Sequence, residues 1–133
     1  MKEPLSPKVL VVDDEPTVLR LVKSLLELKG YQVFTAPDGE AGLRICKELD
    51  GDLALVVSDI SMPGMNGREL ARCVAELPNP VPVILMSGYS STSPILEGLN
   101  DGRVDHVHFL RKPFRRYEFL RLAEEAIESS HSK

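Results

Sequence analysis

No tryptophan occurs in this chain, aromatic residues make up only 5% of it, and cysteine appears twice in 133 residues. No basic patch interleaved with aromatics is present, and with a net charge of −4 this argues against nonspecific nucleic-acid binding, which is driven by neutralised phosphates. Cys46 and Cys73 sit inside helical patterns without C-x-x-C spacing, so they read as buried reduced thiols rather than as a disulfide or a metal site. His106 and His108 alternate along an apolar strand and share a face, but a zinc site normally takes three or four protein ligands, and no other cysteine or histidine lies nearby in sequence. No apolar run approaches the length of a membrane span, and the opening MKEPLSPK lacks the apolar core of a signal peptide. A cytoplasmic protein without membrane insertion is expected.

What the chain does have is alternation. With 43% apolar and 27% charged residues it is composed like a soluble domain with one core. Strand-like runs at 8–12, 31–36, 53–58, 82–87 and 106–111 alternate with helical patterns at 16–29, 39–48, 67–76, 93–100 and 115–129. Pro16 suits a first helical turn, where a missing N–H costs nothing, and Gly30 suits the left-handed position that closes a helix. Strands and helices alternating through short connections specify an α/β fold, a parallel sheet covered by helices on both faces. The domain is placed at 8–129, with an extension at 1–7 and a tail at 130–133. The helix at 93–100 is shortened from both ends by Ser90-Ser91-Thr92-Ser93-Pro94 and Asn100-Asp101-Gly102, and this segment is expected to be the most mobile.

Charged residues stand where the apolar runs stop. Asp13-Asp14 follows Val9-Leu10-Val11-Val12, Asp59 follows the run from Leu53 to Val57, and Lys112 follows Val107-His108-Phe109-Leu110. In an open α/β sheet the carboxyl ends of the strands line one crevice, so three carboxylates and an ammonium should meet there. Gathering three carboxylates costs Coulomb repulsion and desolvation, and a cation or a proton must relieve it. Oxygen-only ligation selects a hard cation such as Mg²⁺, together with phosphate oxygens. Asp59 is the candidate nucleophile, because carboxylates form aspartyl-phosphate intermediates when a metal and cationic donors hold the developing charge. Asp14 would help to hold that metal, while Lys112 and the Ser87 hydroxyl, at the end of Val83-Ile84-Leu85-Met86, would contact phosphoryl oxygens.

These residues resemble the receiver domains of two-component response regulators. The resemblance runs from Val9 to about Ser129 and rests on Val12-Asp13-Asp14-Glu15, on Asp59-Ile60-Ser61-Met62-Pro63-Gly64-Met65-Asn66-Gly67, on Met86-Ser87-Gly88 and on Lys112-Pro113-Phe114. It implies a flavodoxin-like (CheY-like) doubly wound fold with five parallel strands in the order 2-1-3-4-5 and five helices. It implies phosphotransfer from a phosphohistidine on a histidine kinase or histidine phosphotransfer protein to Asp59. It implies direct Mg²⁺ ligation by Asp14, Asp59 and the backbone carbonyl of Ser61, with Asp13 acting through water, and a cis peptide before Pro113 that aims Lys112 into the pocket. It also implies a switch in which Ser87 moves toward the phosphoryl group and Phe109 follows into the space left. Phe109 lacks the hydroxyl a tyrosine would bring, so its outward state is less favourable in water. The runs Leu85-Met86-Ser87-Gly88-Tyr89 and Phe109-Leu110-Arg111-Lys112-Pro113-Phe114 look most like receivers attached to hybrid histidine kinases. No output domain is expected after Ser129, which leaves a stand-alone receiver or a piece of a longer protein.

A receiver catalyses only its own phosphorylation and dephosphorylation and is not an enzyme in the multiple-turnover sense. Two other classes use similar parts. A phosphohydrolase of the haloacid-dehalogenase type needs a second Asp two residues after the nucleophile, where Ser61 stands. A flavin-binding flavodoxin-like module needs hydroxyls and backbone amides around its phosphate, which Asp13-Asp14-Glu15 would repel. For the partner surface, placing Val18, Leu21, Val22, Leu25 and Leu28 against the sheet leaves Leu19 and Leu26 at the edge of the apolar arc, beside Arg20, Lys23 and Glu27, as a docking pair for a partner helix.

Overall fold

The computed structural model describes residues 6–87 and 107–131. Five strands, β1 (Lys8–Val12), β2 (Gln32–Ala36), β3 (Leu53–Asp59), β4 (Val83–Ser87) and β5 (Val107–Arg111), form one parallel sheet in the order β2-β1-β3-β4-β5. Four helices are described: α1 (Pro16–Leu28), α2 (Gly39–Glu48), α3 (Gly67–Ala75) and α4 (Arg116–His131). The last of these is the expected fifth helix. The expected helix at 93–100, with its mobility, and also Gly88 and His106 lie outside the described residues.

The apolar runs are continuous because both faces of the sheet are covered. Along β1, Leu10 and Val12 enter one core with Val56, Val83 and Leu85, and there α2 and α3 contribute Cys46, Leu70, Ala71 and Val74. Val9 and Val11 enter the opposite core with Leu55, Val57, Ile84 and Met86, covered by Val22, Leu25 and Leu26 of α1 and by Phe119, Ala123, Ala126 and Ile127 of α4. Burial pushes the Cys46 thiol up to about 11, whereas Cys73 is half-buried; both are free thiols. No described helix is long and apolar enough to cross a membrane.

Helix ends follow the expected chemistry. Pro16 begins α1, and Gly30, with φ of 92°, follows its last residues, donating its N–H to the Glu27 carbonyl at 3.0 Å. Asp38 caps α2 through the Ala41 N–H, and Asn66 and Glu69 form a reciprocal capping box at the start of α3.

The facing of α1 differs from the expectation. Leu26 is fully buried and Leu19 packs against the same core, while Leu21 is 54% and Leu28 73% exposed. Seven apolar residues on α1 cover about half of its circumference, more than the roughly 100° stripe a surface helix needs. Periodicity therefore left two adjacent orientations equally apolar. Contact with β1, β2 and α4 selects the arc through Val22, Leu25 and Leu26, and the exposed edge carries Leu21 and Leu28 instead of Leu19 and Leu26.

Candidate functional site

The sheet order sets the site. β1 and β3 are neighbours, so the residues that leave their carboxyl ends emerge side by side. Val12 pairs with Ser58, which puts Asp13 and Asp14 next to Asp59, and carboxylate oxygens of all three lie within 4.8 Å of one another. Asp13 is fully buried, Asp59 nearly so, and Asp14 is exposed at the mouth. β4 and β5 complete the rim. Asp59 pairs with Met86, Ser87 ends β4 one step further on, and the Lys112 N–H donates to the Ser87 carbonyl at 2.8 Å. The Lys112–Pro113 peptide is cis, and Lys112 Nζ lies 3.3 Å from Asp59 Oδ1.

Among the described residues, the pocket sets three carboxylates against the one ammonium of Lys112. Burial is the main reason that the Asp59 carboxyl titrates above its usual range, opposed by the Lys112 ammonium and reinforced by Asp14. Burial likewise lifts Asp13 from its ordinary 3.8 to about 6, against the hydrogen bond it accepts from the Glu15 N–H at 2.9 Å. The other oxygen of Asp13, Oδ2, is buried and has no hydrogen-bond partner among the described residues. Such an orphaned acceptor among carboxylates costs free energy unless a cation or proton meets it. The donor set is all oxygen and anionic, and it fits a hard divalent cation of the Mg²⁺ type.

The structure thus brings Asp13, Asp14, Asp59 and Lys112 together, and sets Ser87 on the adjoining strand end, 6% exposed. Ser61 lies in the exposed turn after β3. Phe109 is half-buried in β5, paired with Leu85 and packed against the core that α2 and α3 cover. Leu19 and Leu26 belong to the opposite core.

Three contacts at the site go beyond the sequence reading. Gly67 opens α3 against the backbone carbonyl of Asp59, where any Cβ would collide. Gly39, at the start of α2, is similarly tight: a Cβ there would come within 2.5 Å of the Met65 carbonyl. Ser58, fully buried, donates from Oγ to the Asp59 carbonyl at 2.9 Å. The available signal for Ser58 was a lone hydroxyl inside an apolar strand, directly before the acid.

Comparison with known proteins gives one consistent result. The family model described as the response regulator receiver domain matches residues 9–124. The chain is similar to the two-component response regulator ARR10 of Arabidopsis thaliana, with 32% identity over 98% of this chain and 23% of that protein. A receiver domain protein from Clostridium thermocellum superposes with a TM-score of 0.83 and 30% identity, covering 92% of this chain and 95% of that one. The receiver domain of the hybrid histidine kinase CckA gives a TM-score of 0.74 and 30% identity over 90% of this chain and 98% of that one. The chain spans about a quarter of the length of ARR10.

Proposed function

This chain belongs to the family of response regulator receiver domains, and from that premise we propose that it accepts a phosphoryl group on Asp59 from a phosphohistidine of a histidine kinase or histidine phosphotransfer protein. The observation that carries the proposal is the meeting of Asp13, Asp14 and Asp59 within 4.8 Å, with Lys112 Nζ 3.3 Å from Asp59 Oδ1.

In the proposed reaction a carboxylate oxygen of Asp59 attacks phosphorus in line with the scissile P–N bond, and the donor histidine leaves. Asp14, Asp59 and the Ser61 carbonyl would hold Mg²⁺ directly and Asp13 through water; when bound, the ion neutralises charge on the phosphoryl oxygens. Lys112 pairs with one of those oxygens and the Ser87 hydroxyl donates to another. Both residues stand at the β4–β5 rim, so their movement toward the phosphoryl group shifts that edge of the sheet, with Phe109 following Ser87. The reaction runs once per chain, which makes the product a signalling state rather than a released metabolite.

The partner would dock on the exposed edge of α1. Leu21 and Leu28 are apolar side chains on the surface of the helix that leads away from Asp13 and Asp14, and they suit a partner helix. The setting is cytoplasmic, and the likeness to the CckA receiver supports a hybrid histidine kinase as the context.

Incubation with Mg²⁺ and acetyl phosphate, followed by intact mass, tests the central claim. One added phosphoryl group per chain, absent in Asp59→Asn, is the expected result. Absence of any adduct with every small donor overturns it, and repeated turnover of the donor would indicate a phosphohydrolase instead.

A further inference from the structure

Ser58 has a buried polar side chain in β3 that the phosphotransfer scheme leaves unused. It lies between Val12 of β1 and Leu85 of β4 and is wholly inaccessible to solvent. A hydroxyl in such a place commonly does no more than find a nearby acceptor. Here the acceptor is the backbone carbonyl of Asp59 itself, 2.9 Å from Ser58 Oγ.

That carbonyl lies beyond the end of the β1 ladder. Val12, the last residue of β1, pairs with Ser58, so no residue of β1 stands opposite Asp59. On the α3 side it rests against Gly67, where a side chain would collide with the Asp59 carbonyl and with Ile60 Cα. The Asp59–Ile60 peptide is therefore held between a hydroxyl and a bare Cα. Two further bonds extend the hold into the turn: the Ile60 N–H donates to the Met86 carbonyl at 3.0 Å, and the Gly67 N–H donates to the Ile60 carbonyl at 2.9 Å.

We propose that Ser58 is a positioning residue for the acidic pocket, its hydroxyl fixing the Asp59–Ile60 peptide and with it the aim of the Asp59 carboxylate and the path of the chain to Ser61. The inference rests on the reading of Asp59 as phosphoacceptor and cation ligand. Groups that orient a ligating carboxylate without touching the ion typically change affinity and rate together.

Ser58→Ala and Ser58→Thr test it. Mg²⁺ affinity is measured by amide-shift titration, phosphorylation by acetyl phosphate is timed at saturating Mg²⁺, and the Asp59 carbonyl ¹³C shift is recorded without metal. In Ser58→Ala the carbonyl shift should move, and Mg²⁺ affinity and phosphorylation rate should each fall roughly tenfold while the melt stays cooperative. Ser58→Thr, which keeps the hydroxyl, should restore all three. Parental affinity and rate in the alanine variant overturn the inference, as does a folded threonine variant no better than alanine. If the added methyl prevents Ser58→Thr from folding, the alanine variant decides alone. Failure of the parent itself to take a phosphoryl group would strike the phosphoacceptor reading and leave Ser58 to be judged on Mg²⁺ affinity and the carbonyl shift.

Discussion

The Lys112 ammonium lies 3.3 Å from one carboxylate oxygen of Asp59, although β4 runs between the strands that carry them. Lys112 thus ties the β5 edge of the sheet to the acid that β3 presents. Lys112→Ala should slow phosphorylation, on the order of a hundredfold for one lost charge-stabilising donor, without abolishing it. The larger effect should be on transmission. Beryllofluoride, which stands in for the phosphoryl group, should shift the amides of Ser87 and Phe109 in the parent and much less in the variant. Equal shifts in both proteins would reduce Lys112 to a local counter-ion.

Stability without metal should depend on pH through Asp13. Its carboxyl titrates at about 6 in the folded protein against an ordinary 3.8. Below about pH 4 both states carry the proton. Between these values the folded state keeps a proton that the unfolded chain has released, so this contribution to stability is lost as pH rises through 6. The melting temperature in EDTA should fall over that window. With Mg²⁺ the trend should weaken or reverse, because ion and proton compete for the same oxygens. A flat EDTA profile would contradict the assignment.

Removing one carboxylate should stabilise the metal-free protein. Asp14→Asn relieves repulsion with Asp13 and Asp59, and a gain of roughly 1 kcal/mol would raise the melting temperature by about 3 °C in a domain of this length. Mg²⁺, which binds only the folded arrangement, should raise the melting temperature of the parent more than that of the variant. Calorimetry with and without the ion measures both. A lower melting point for metal-free Asp14→Asn would mean that its carboxylate makes structural hydrogen bonds.

On α1, Leu21→Asp and Leu26→Asp should behave oppositely. Leu21 is exposed, so its replacement should change stability by no more than about 0.5 kcal/mol and leave phosphorylation by acetyl phosphate intact. Transfer from a phosphohistidine protein should slow. Leu26 is fully buried, and a carboxylate there should cost more than about 3 kcal/mol and unfold much of the protein. Thermal melts and stopped-flow transfer from the phosphorylated partner distinguish the two.

The strand ends were legible because a buried parallel strand must be apolar along its whole length, so the first charge after it marks its exit. That logic places Asp13, Asp14, Asp59 and Lys112 from the sequence alone, and it sets the strands to within a residue or so. It could not orient α1, whose apolar arc is wider than the face it buries, so Leu26 and Leu21 changed places. Nor could it find Gly67, Gly39 or the Ser58 hydrogen bond. The two glycines depend on how closely a helix start approaches a loop, a distance set jointly by the cap of one element and the end of another, and the Ser58 bond depends on which way its hydroxyl turns inside β3.

The sheet order has a consequence for how the molecule is divided. Asp13, Asp14 and Asp59 all come from the first half of the chain, at the carboxyl ends of β1 and β3, while Ser87 and Lys112 come from the second half, at the ends of β4 and β5. A cation held by the acids alone would act directly on the first half, while the second half stays joined to it through the β3–β4 pairing and the Lys112–Asp59 ion pair. A phosphoryl group on Asp59, grasped by Ser87 and Lys112, would be a further tie between the halves. Ion and phosphoryl group are then separable instructions, one that sets the pocket and one that recruits the far side of the sheet to it.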